Sequence, residues 1–220
     1  MPQVLFQSPL FQGLSPQEVR TALGHFVPRR YRKGQLIFKE GDLGQALYLV
    51  AGGMVRLFRT HLGGQERTLG LLSQGEVFGE MSLLDGSPRS ASAEMLEEGE
   101  LYLLFREEYQ SLLRRLPQFG HNLALLLAER LRAANLLLDF LVFEEVEVRV
   151  AFALWRAYQK TGQALLPLSH AQVAGLAGSS RESATRALHA LRKRGALELE
   201  RGAVRILDPR LLEEIAHGLV

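Results

Sequence analysis

The sequence predicts an α+β chain in three successive parts: an N-terminal antiparallel β-barrel, a long helix that pairs with its own copy, and a C-terminal winged helix-turn-helix. Three observations predict it. Between Phe26 and Phe105, glycines from Gly34 to Gly99 punctuate short apolar runs such as QLIFK, ALYLV, MVRLFRT and ELYLLF, the texture of strands joined by tight turns. From Asn122 to Phe143, apolar residues recur with heptad spacing. From Ser169 to Lys193, two capped helical segments flank a glycine, and a short hairpin pattern follows.

Composition sets the bounds. With 220 residues, 47% of them hydrophobic, the chain can build real cores, and two small domains fit better than one large one. The net charge of +2 and pI near 9.1 permit a nucleic-acid partner without requiring one. There is no cysteine, which excludes disulfides, cysteine-held zinc and iron–sulfur clusters. The opening MPQVLFQSPLF has no basic n-region, and no apolar run reaches the roughly 18 residues that span a bilayer. A cytoplasmic chain without a membrane partner is expected.

Ser15-Pro16-Gln17-Glu18 combines an N-cap serine, proline at the first helical position and glutamate at N3, so a short helix is predicted from there to about Gly24. The barrel follows, with an interior that could hold one small ligand. Glu107 to Leu116 reads as a short helix stopped by Pro117.

In the long helix, Leu127, Leu131, Ala134, Leu138 and Leu141 follow one another at spacings of four, three, four and three, an a/d seam between two parallel helices. Leu123, Leu126, Leu137, Phe140 and Phe143 stand off that seam and predict a second buried face within the same subunit. A core helix in a monomer is the competing reading; the seam's place between a β-rich segment and a groove-reading pattern favours a homodimer. The charged interruption Glu144-Glu145-Val146-Glu147 is the expected hinge, giving parts 1–117, 118–144 and 145–220.

Val150, Leu154 and Trp155 mark the next helix, and Gln159 to Ala164 a polar loop. Ser169 with Gln172 has capping-box spacing, Gly178 ends that helix, and Ser179 with Glu182 repeats the spacing. Leu197 to Glu200 and Ala203 to Ile206 around Arg201-Gly202 form the wing.

Two stretches carry chemistry. In SSRESATRALHALRK, from Ser179 and Ser180 onward, Ala184, Ala187, Leu188 and Leu191 face inward, which turns Glu182, Thr185, Arg186, His189 and Lys193 outward with Arg181 at the exposed end. Residues 181 to 194 hold five basic residues against the single acid Glu182. Arg192, Lys193 and Arg194 suit a solvated helix C-terminus. Arg181 and Arg186 stand where an arginine fork can pair with guanine O6 and N7, and Glu182 where it can accept from cytosine N4.

The second stretch is FGEMSLLDGSPRSAS, from Phe78 to Ser92. Gly79 permits close backbone approach, Met81 and Ser82 lie on a short helical turn with free N–H groups, and Arg89 and Ser90 return from the far side: the parts of an anion cradle in which Arg89 is the expected sole cation. Glu80 is out of place beside a phosphate and fits a sugar hydroxyl instead. A glycine turn with a surface arginine is the plain alternative for any one of these residues alone.

These two motifs, in this order and about 90 residues apart, resemble the phosphate-binding cassette and the recognition helix of the cyclic-AMP receptor protein and fumarate–nitrate regulator family, and the resemblance covers essentially the whole chain. It implies a barrel of the cyclic-nucleotide-binding, double-stranded β-helix type and a homodimeric transcription regulator with no enzymatic activity and no cofactor. Cyclic AMP would be its allosteric effector, double-stranded promoter DNA and RNA polymerase its partners. Residue by residue, it implies Gly79 and Glu80 on the ribose side, Arg89 and Ser90 on the cyclic phosphate, and Arg181, Glu182 and Arg186 reading a TGTGA-like half-site as in the cyclic-AMP receptor protein type. The family's adenine contacts, a Thr-Ser pair, fall on Ala134 and Asn135; Asn135 can both donate and accept, Ala134 can do neither. The loop 159–164 is shorter than the polymerase-contacting loop of the best-known member.

Other classes remain for comparison. A metal-dependent cupin barrel needs clustered histidines, and residues 26–105 offer only His61, so no metal site and no catalytic residue is expected. An effector-independent regulator, and a cyclic-nucleotide-binding module without DNA function, are the alternatives to a nucleotide-controlled one.

Overall fold

The computed structural model describes residues 3–61, 64, 66–143 and 145–219. The chain divides into two compact units, Met1–Leu57 with Leu72–Ala134, and Phe58–Leu71 with Asn135–Val220.

After two short 3-10 turns (Gln3–Gln7 and Pro9–Phe11) comes helix α1 (Pro16–Leu23), and the expected capping box is formed: Ser15 Oγ accepts from the Glu18 N–H at 3.3 Å while Glu18 Oε2 accepts from the Ser15 N–H at 2.8 Å. In chain order the strands follow as β1 (Val27–Tyr31), β2 (Leu36–Phe38), β3 (Ala46–Val50), β4 (Val55–Thr60), β5 (Glu66–Leu72) and β6 (Val77–Phe78), then helix α2 (Glu80–Asp85), β7 (Ser92–Met95) and β8 (Gly99–Phe105), with Phe58–Leu71 of β4 and β5 counted to the second unit. They form the two four-stranded sheets of the expected antiparallel architecture, ordered β1-β8-β3-β6 and β2-β7-β4-β5.

Strand β3 is buried along its whole length because both of its faces are covered, and its alternating residues separate into two cores. Leu47 and Leu49, with Tyr102 and Leu104 of the paired β8, face the helices, where Leu10, Phe11, Leu23 and Phe119 join them. Tyr48 and Val50, with Leu101 and Leu103, face the opposite way onto Phe78, Met95 and Val55. A central strand with one core on each side reads as an unbroken apolar run, as ALYLV does. The loops before β8 cross so closely that a Cβ at Gly99 would stand 1.9 Å from the Gly52 carbonyl oxygen, so a side chain there has no room.

Helix α3 (Arg106–Arg115) ends ahead of Pro117, and α4 (Pro117–Phe143) begins on that proline, five residues before the heptad pattern becomes legible at Asn122. Asn122 is a buried clamp: its Nδ2 donates to the carbonyl oxygens of Leu10 at 2.9 Å and Gln12 at 2.8 Å. Leu123 and Leu126 are buried within the unit as expected, while Leu125 is 46% and Leu131 64% exposed. Ala134 is exposed too, and Leu127 half-buried. The side chains of Leu137, Leu138, Phe140, Leu141 and Phe143 lie outside the described residues.

The second unit contains α5 (Val146–Thr161), β9 (Leu165–Leu166), α6 (His170–Leu176), α7 (Arg181–Lys193), β10 (Leu197–Glu200), β11 (Ala203–Ile206) and α8 (Pro209–Ala216). Val146 and Glu147 of the expected hinge already form the first turn of α5, and Gln159 to Thr161 of the expected loop its last, closed by Gly162 at φ 65°. Strands β10 and β11 pair as the wing, with β9 completing a three-stranded sheet. Helix α8 escaped the sequence reading although its signal is plain: Asp208 caps it, accepting from Arg210 and Leu211 N–H groups at 3.0 Å each, and Pro209 starts it. Val150, Leu154, Val173, Ala184, Leu188, Leu191, Leu212 and Ile215 make the core.

Candidate functional site

The turn from β6 into α2 builds a cleft in the first unit. Gly79 stands there at φ 74°, in the left-handed region that favours glycine, and a Cβ would meet Arg89 Nη1 at 2.6 Å. The glycine therefore serves both the turn and the close approach of the arginine. Gly79, Glu80, Met81, Ser82, Arg89 and Ser90 line one cleft together, as the sequence predicted, and Phe38, Leu57 and Arg130 line it with them.

Arg89 is 5% exposed. Its Nη1 donates to the Gly79 carbonyl at 2.6 Å and its Nη2 to the Ala46 carbonyl at 2.7 Å, while Cζ lies 4.2 Å from the centre of the Phe38 ring. Burial, the largest effect, pulls the guanidinium below the ordinary arginine range; nearby Tyr48, Glu80 and Asp42 oppose it. A buried cation whose two end nitrogens bond neutral carbonyls, in a cleft wall, favours an anionic ligand.

Glu80, 4% exposed, is the acceptor of the site. Its Oε1 accepts from Arg130 Nη1 at 2.9 Å, and its Oε2 is buried with no hydrogen-bond partner among the described residues. Arg130 also donates to the Val77 carbonyl. Arg89 is thus not the sole cation, as the sequence reading had it; Arg130 reaches the same cleft from α4. Sequence could not mark it, because its carboxylate partner lies fifty positions away and it is one of two arginines in AERLR. Ser82 is buried, its carbonyl accepting from Arg106 Nη2 at 2.7 Å, while Met81 and Ser90 stand exposed at the rim. Asn135 is exposed on α4, at the start of the second unit's share of that helix.

In the second unit, α7 buries Ala184, Ala187, Leu188 and Leu191 and leaves Arg181, Glu182, Arg186, His189 and Lys193 exposed, as the wheel predicted. Arg181, Glu182, Thr185 and Arg186 line an open surface. The helix starts one residue later than expected: Ser180, not Ser179, is the cap, accepting from the Ser183 N–H at 3.1 Å. Glu182 accordingly sits in the first turn without closing a capping box. Its own backbone N–H first, then the Ser180 hydroxyl, Arg181 and Arg186, hold its carboxyl below the usual range, so it is an acceptor at neutral pH. Thr185 is half-buried with Oγ1 3.1 Å from Nδ1 of His170. Arg194 caps the helix end and reaches Glu147 at 3.2 Å, in keeping with a structural role for that basic cluster.

Among the described residues no three histidine or carboxylate side chains are placed to hold a metal, and no helix is long and apolar enough to cross a membrane.

Two family models match the chain. Residues 28–116 match the cyclic nucleotide-binding domain and residues 148–215 the Crp-like helix-turn-helix domain. The cyclic AMP receptor protein of Thermus thermophilus is 58% identical over 212 residues, 96% of this chain and 98% of its own. The CRP-like cAMP-activated global transcriptional regulator of Mycobacterium tuberculosis is 31% identical over 224 residues, 99% of this chain and 100% of its own. Among solved structures, the Thermus thermophilus catabolite activator protein aligns with a TM-score of 0.59 over 97% of this chain and 100% of its own, at 58% identity. The c-di-GMP responsive regulator CLP of Xanthomonas campestris aligns at 0.75 over 87% and 99%, with 25% identity.

Proposed function

Because the chain belongs to the cyclic-AMP receptor protein and fumarate–nitrate regulator family of DNA-binding transcription regulators, on its cyclic-AMP receptor protein side, we propose that it is a homodimer whose affinity for promoter DNA is set by a cyclic nucleotide, cyclic AMP foremost. Residues 1–117 sense the nucleotide, 118–144 pair the subunits, and 145–220 read DNA in the cytoplasm, with RNA polymerase as the downstream partner.

The observation that carries the reading is the pairing of opposite needs in one cleft. Arg89 is a buried cation whose end nitrogens bond neutral main-chain carbonyls, and Glu80 Oε2 is a buried acceptor without a donor among the described residues. A cyclic phosphate satisfies the first and a ribose hydroxyl the second, and one cyclic nucleotide brings both at once. Gly79, Met81, Ser82 and Ser90 complete the cradle, and Asn135 is assigned to the base by its family position alone.

For DNA, Arg181 and Arg186 offer forks to guanine and Glu182 an acceptor to cytosine, which supports a TGTGA-like half-site. Ser179, Ser180, Thr185, His189 and Lys193 border them and serve the phosphate backbone and flanking edges. The dimer is supported by the exposed Leu131 and Ala134 on the seam of α4.

The test is calorimetry with cyclic AMP and with cyclic GMP, followed by affinity for a palindromic TGTGA operator with and without the nucleotide that binds. Tighter operator binding with nucleotide supports the proposal. Equal binding without any nucleotide makes the protein an effector-independent member of the family, and nucleotide binding without operator binding reduces it to a sensor module.

A further inference from the structure

His170, the first residue of α6, and His189, on the exposed side of α7, meet edge to face, with ring centroids 6.3 Å apart and planes at 84°. Thr185 Oγ1 lies 3.1 Å from His170 Nδ1, so one ring nitrogen is held and the imidazole is oriented. His170 is half-buried and His189 exposed, which leaves the pair open on the side that α7 turns outward.

The charged and titratable groups that act on His170 are His189 and Arg181, both from α7. Helix α5 also packs on α6, and neither it nor any carboxylate is among the groups that act on His170. Among the groups that act on it, His170 therefore has no anion of the kind a protonated imidazole favours. Duplex DNA carries such anions in quantity, and in a helix-turn-helix the first helix crosses the phosphate backbone while the second enters the groove. Two histidines that bridge those two helices stand on the elements that such a motif brings to the phosphates.

We propose that His170 and His189 form a proton-binding pair in the DNA interface, so that operator binding draws a proton onto the pair and affinity rises as pH falls through the neutral range. The proposal rests on the reading of α7 as the DNA-contacting helix. In the free chain, burial first, then His189 and Arg181, keep the proton affinity of His170 below that of an ordinary histidine. Phosphates beside it act in the opposite direction. The complex then binds more protons than its separated components, and by linkage affinity falls with rising pH, by up to about tenfold per pH unit for each proton taken up.

The experiment uses the full chain saturated with cyclic AMP, a fluorescent TGTGA operator and constant ionic strength, with anisotropy measured from about pH 6 to about pH 8, the range in which histidine titrates. The native chain, His170→Gln, His189→Gln and the double variant are compared by the slope of log affinity against pH, so that a change in absolute affinity does not enter. His170→Asn, whose amide can still meet Thr185, guards against loss of fold. The expected result is a negative slope in the native chain, shallower in each single variant and flat in the double, with calorimetry in buffers of different ionisation enthalpy showing net proton uptake only where the slope is present. A flat native profile, or a slope that survives in the double variant, overturns the proposal. If cyclic AMP binds but operator binds at no pH, the DNA-reading assignment of α7 fails first and the proton-binding pair with it.

Discussion

Replacing Arg130 by methionine tests the cleft at its least anticipated point. The substitution keeps most of the aliphatic volume and removes the donor on which Glu80 Oε1 depends. Since Oε2 already lacks a partner among the described residues, Glu80 is left as a buried carboxylate with neither oxygen bonded by them. Breaking a fully buried pair by removing one member costs about 3–5 kcal/mol. Here the side chains are 36% exposed for Arg130 and 5% for Glu80, so water relieves part of the loss. About 2–3 kcal/mol is therefore expected, including the second bond that Arg130 makes to the Val77 carbonyl. Glu80→Gln keeps an acceptor opposite Arg130 and exchanges a charge-assisted bond for an ordinary one, at about 1 kcal/mol. In the double variant the two losses overlap, giving a coupling energy of about 1–2 kcal/mol. The assay is urea denaturation followed by near-ultraviolet tyrosine circular dichroism, because Tyr31, Tyr48, Tyr102 and Tyr109 are all buried in the first unit, whereas the sole tryptophan, Trp155, reports the second. A loss under about 0.5 kcal/mol in Arg130→Met, or additive losses in the double variant, would refute the claim that the pair holds the cleft together.

Three further outcomes are expected. A chain ending at Glu145 sediments as a dimer at micromolar concentration, because the seam from Leu127 to Leu141 lies wholly before that point; a monomer would contradict the seam. Arg181→Ala and Arg186→Ala each weaken a specific site by about 1–3 kcal/mol and relax preference at one base pair, whereas Lys193→Ala weakens all DNA alike; base-substituted operators at fixed salt separate the two, and uniform weakening by Arg181→Ala would make that arginine a backbone contact. Arg89→Leu abolishes nucleotide binding in calorimetry, since the remaining cation, Arg130, is already engaged with Glu80, while Asn135→Ala weakens the nucleotide's effect on DNA affinity, about 1–3 kcal/mol in such systems, more than it weakens binding; unchanged coupling in Asn135→Ala would remove that residue from the site.

The parts of the fold that were legible are those written in local chemistry. The capping boxes at Ser15 and Ser169 need only residues three apart, and both formed as spaced. The inward face of α7 needs only helical periodicity. Where the local code is degenerate the reading slipped: Ser179 and Ser180 are both good caps, and the choice fell to the one whose hydroxyl reaches the Ser183 N–H. The cassette from Gly79 to Ser90 was legible as a set because its residues are close in sequence, yet its electrostatics were not. Arg130 enters from another helix, and the Ala46 carbonyl that holds Arg89 belongs to a strand 43 positions away and carries no side-chain signature at all. Long-range pairs of this kind are fixed by packing, which periodicity does not encode.

The way Arg89 is held sets how the site can evolve. Both of its end nitrogens are tied to main-chain oxygens, at Gly79 and Ala46. Main-chain oxygens are supplied by every amino acid, so substitution of Ala46 by another residue that keeps the strand leaves its half of the grip in place. Selection can therefore exchange the side chains around the rim while the cation keeps its position. The place of the cation is inherited with the path of the chain, and the side chains around it drift on top of it.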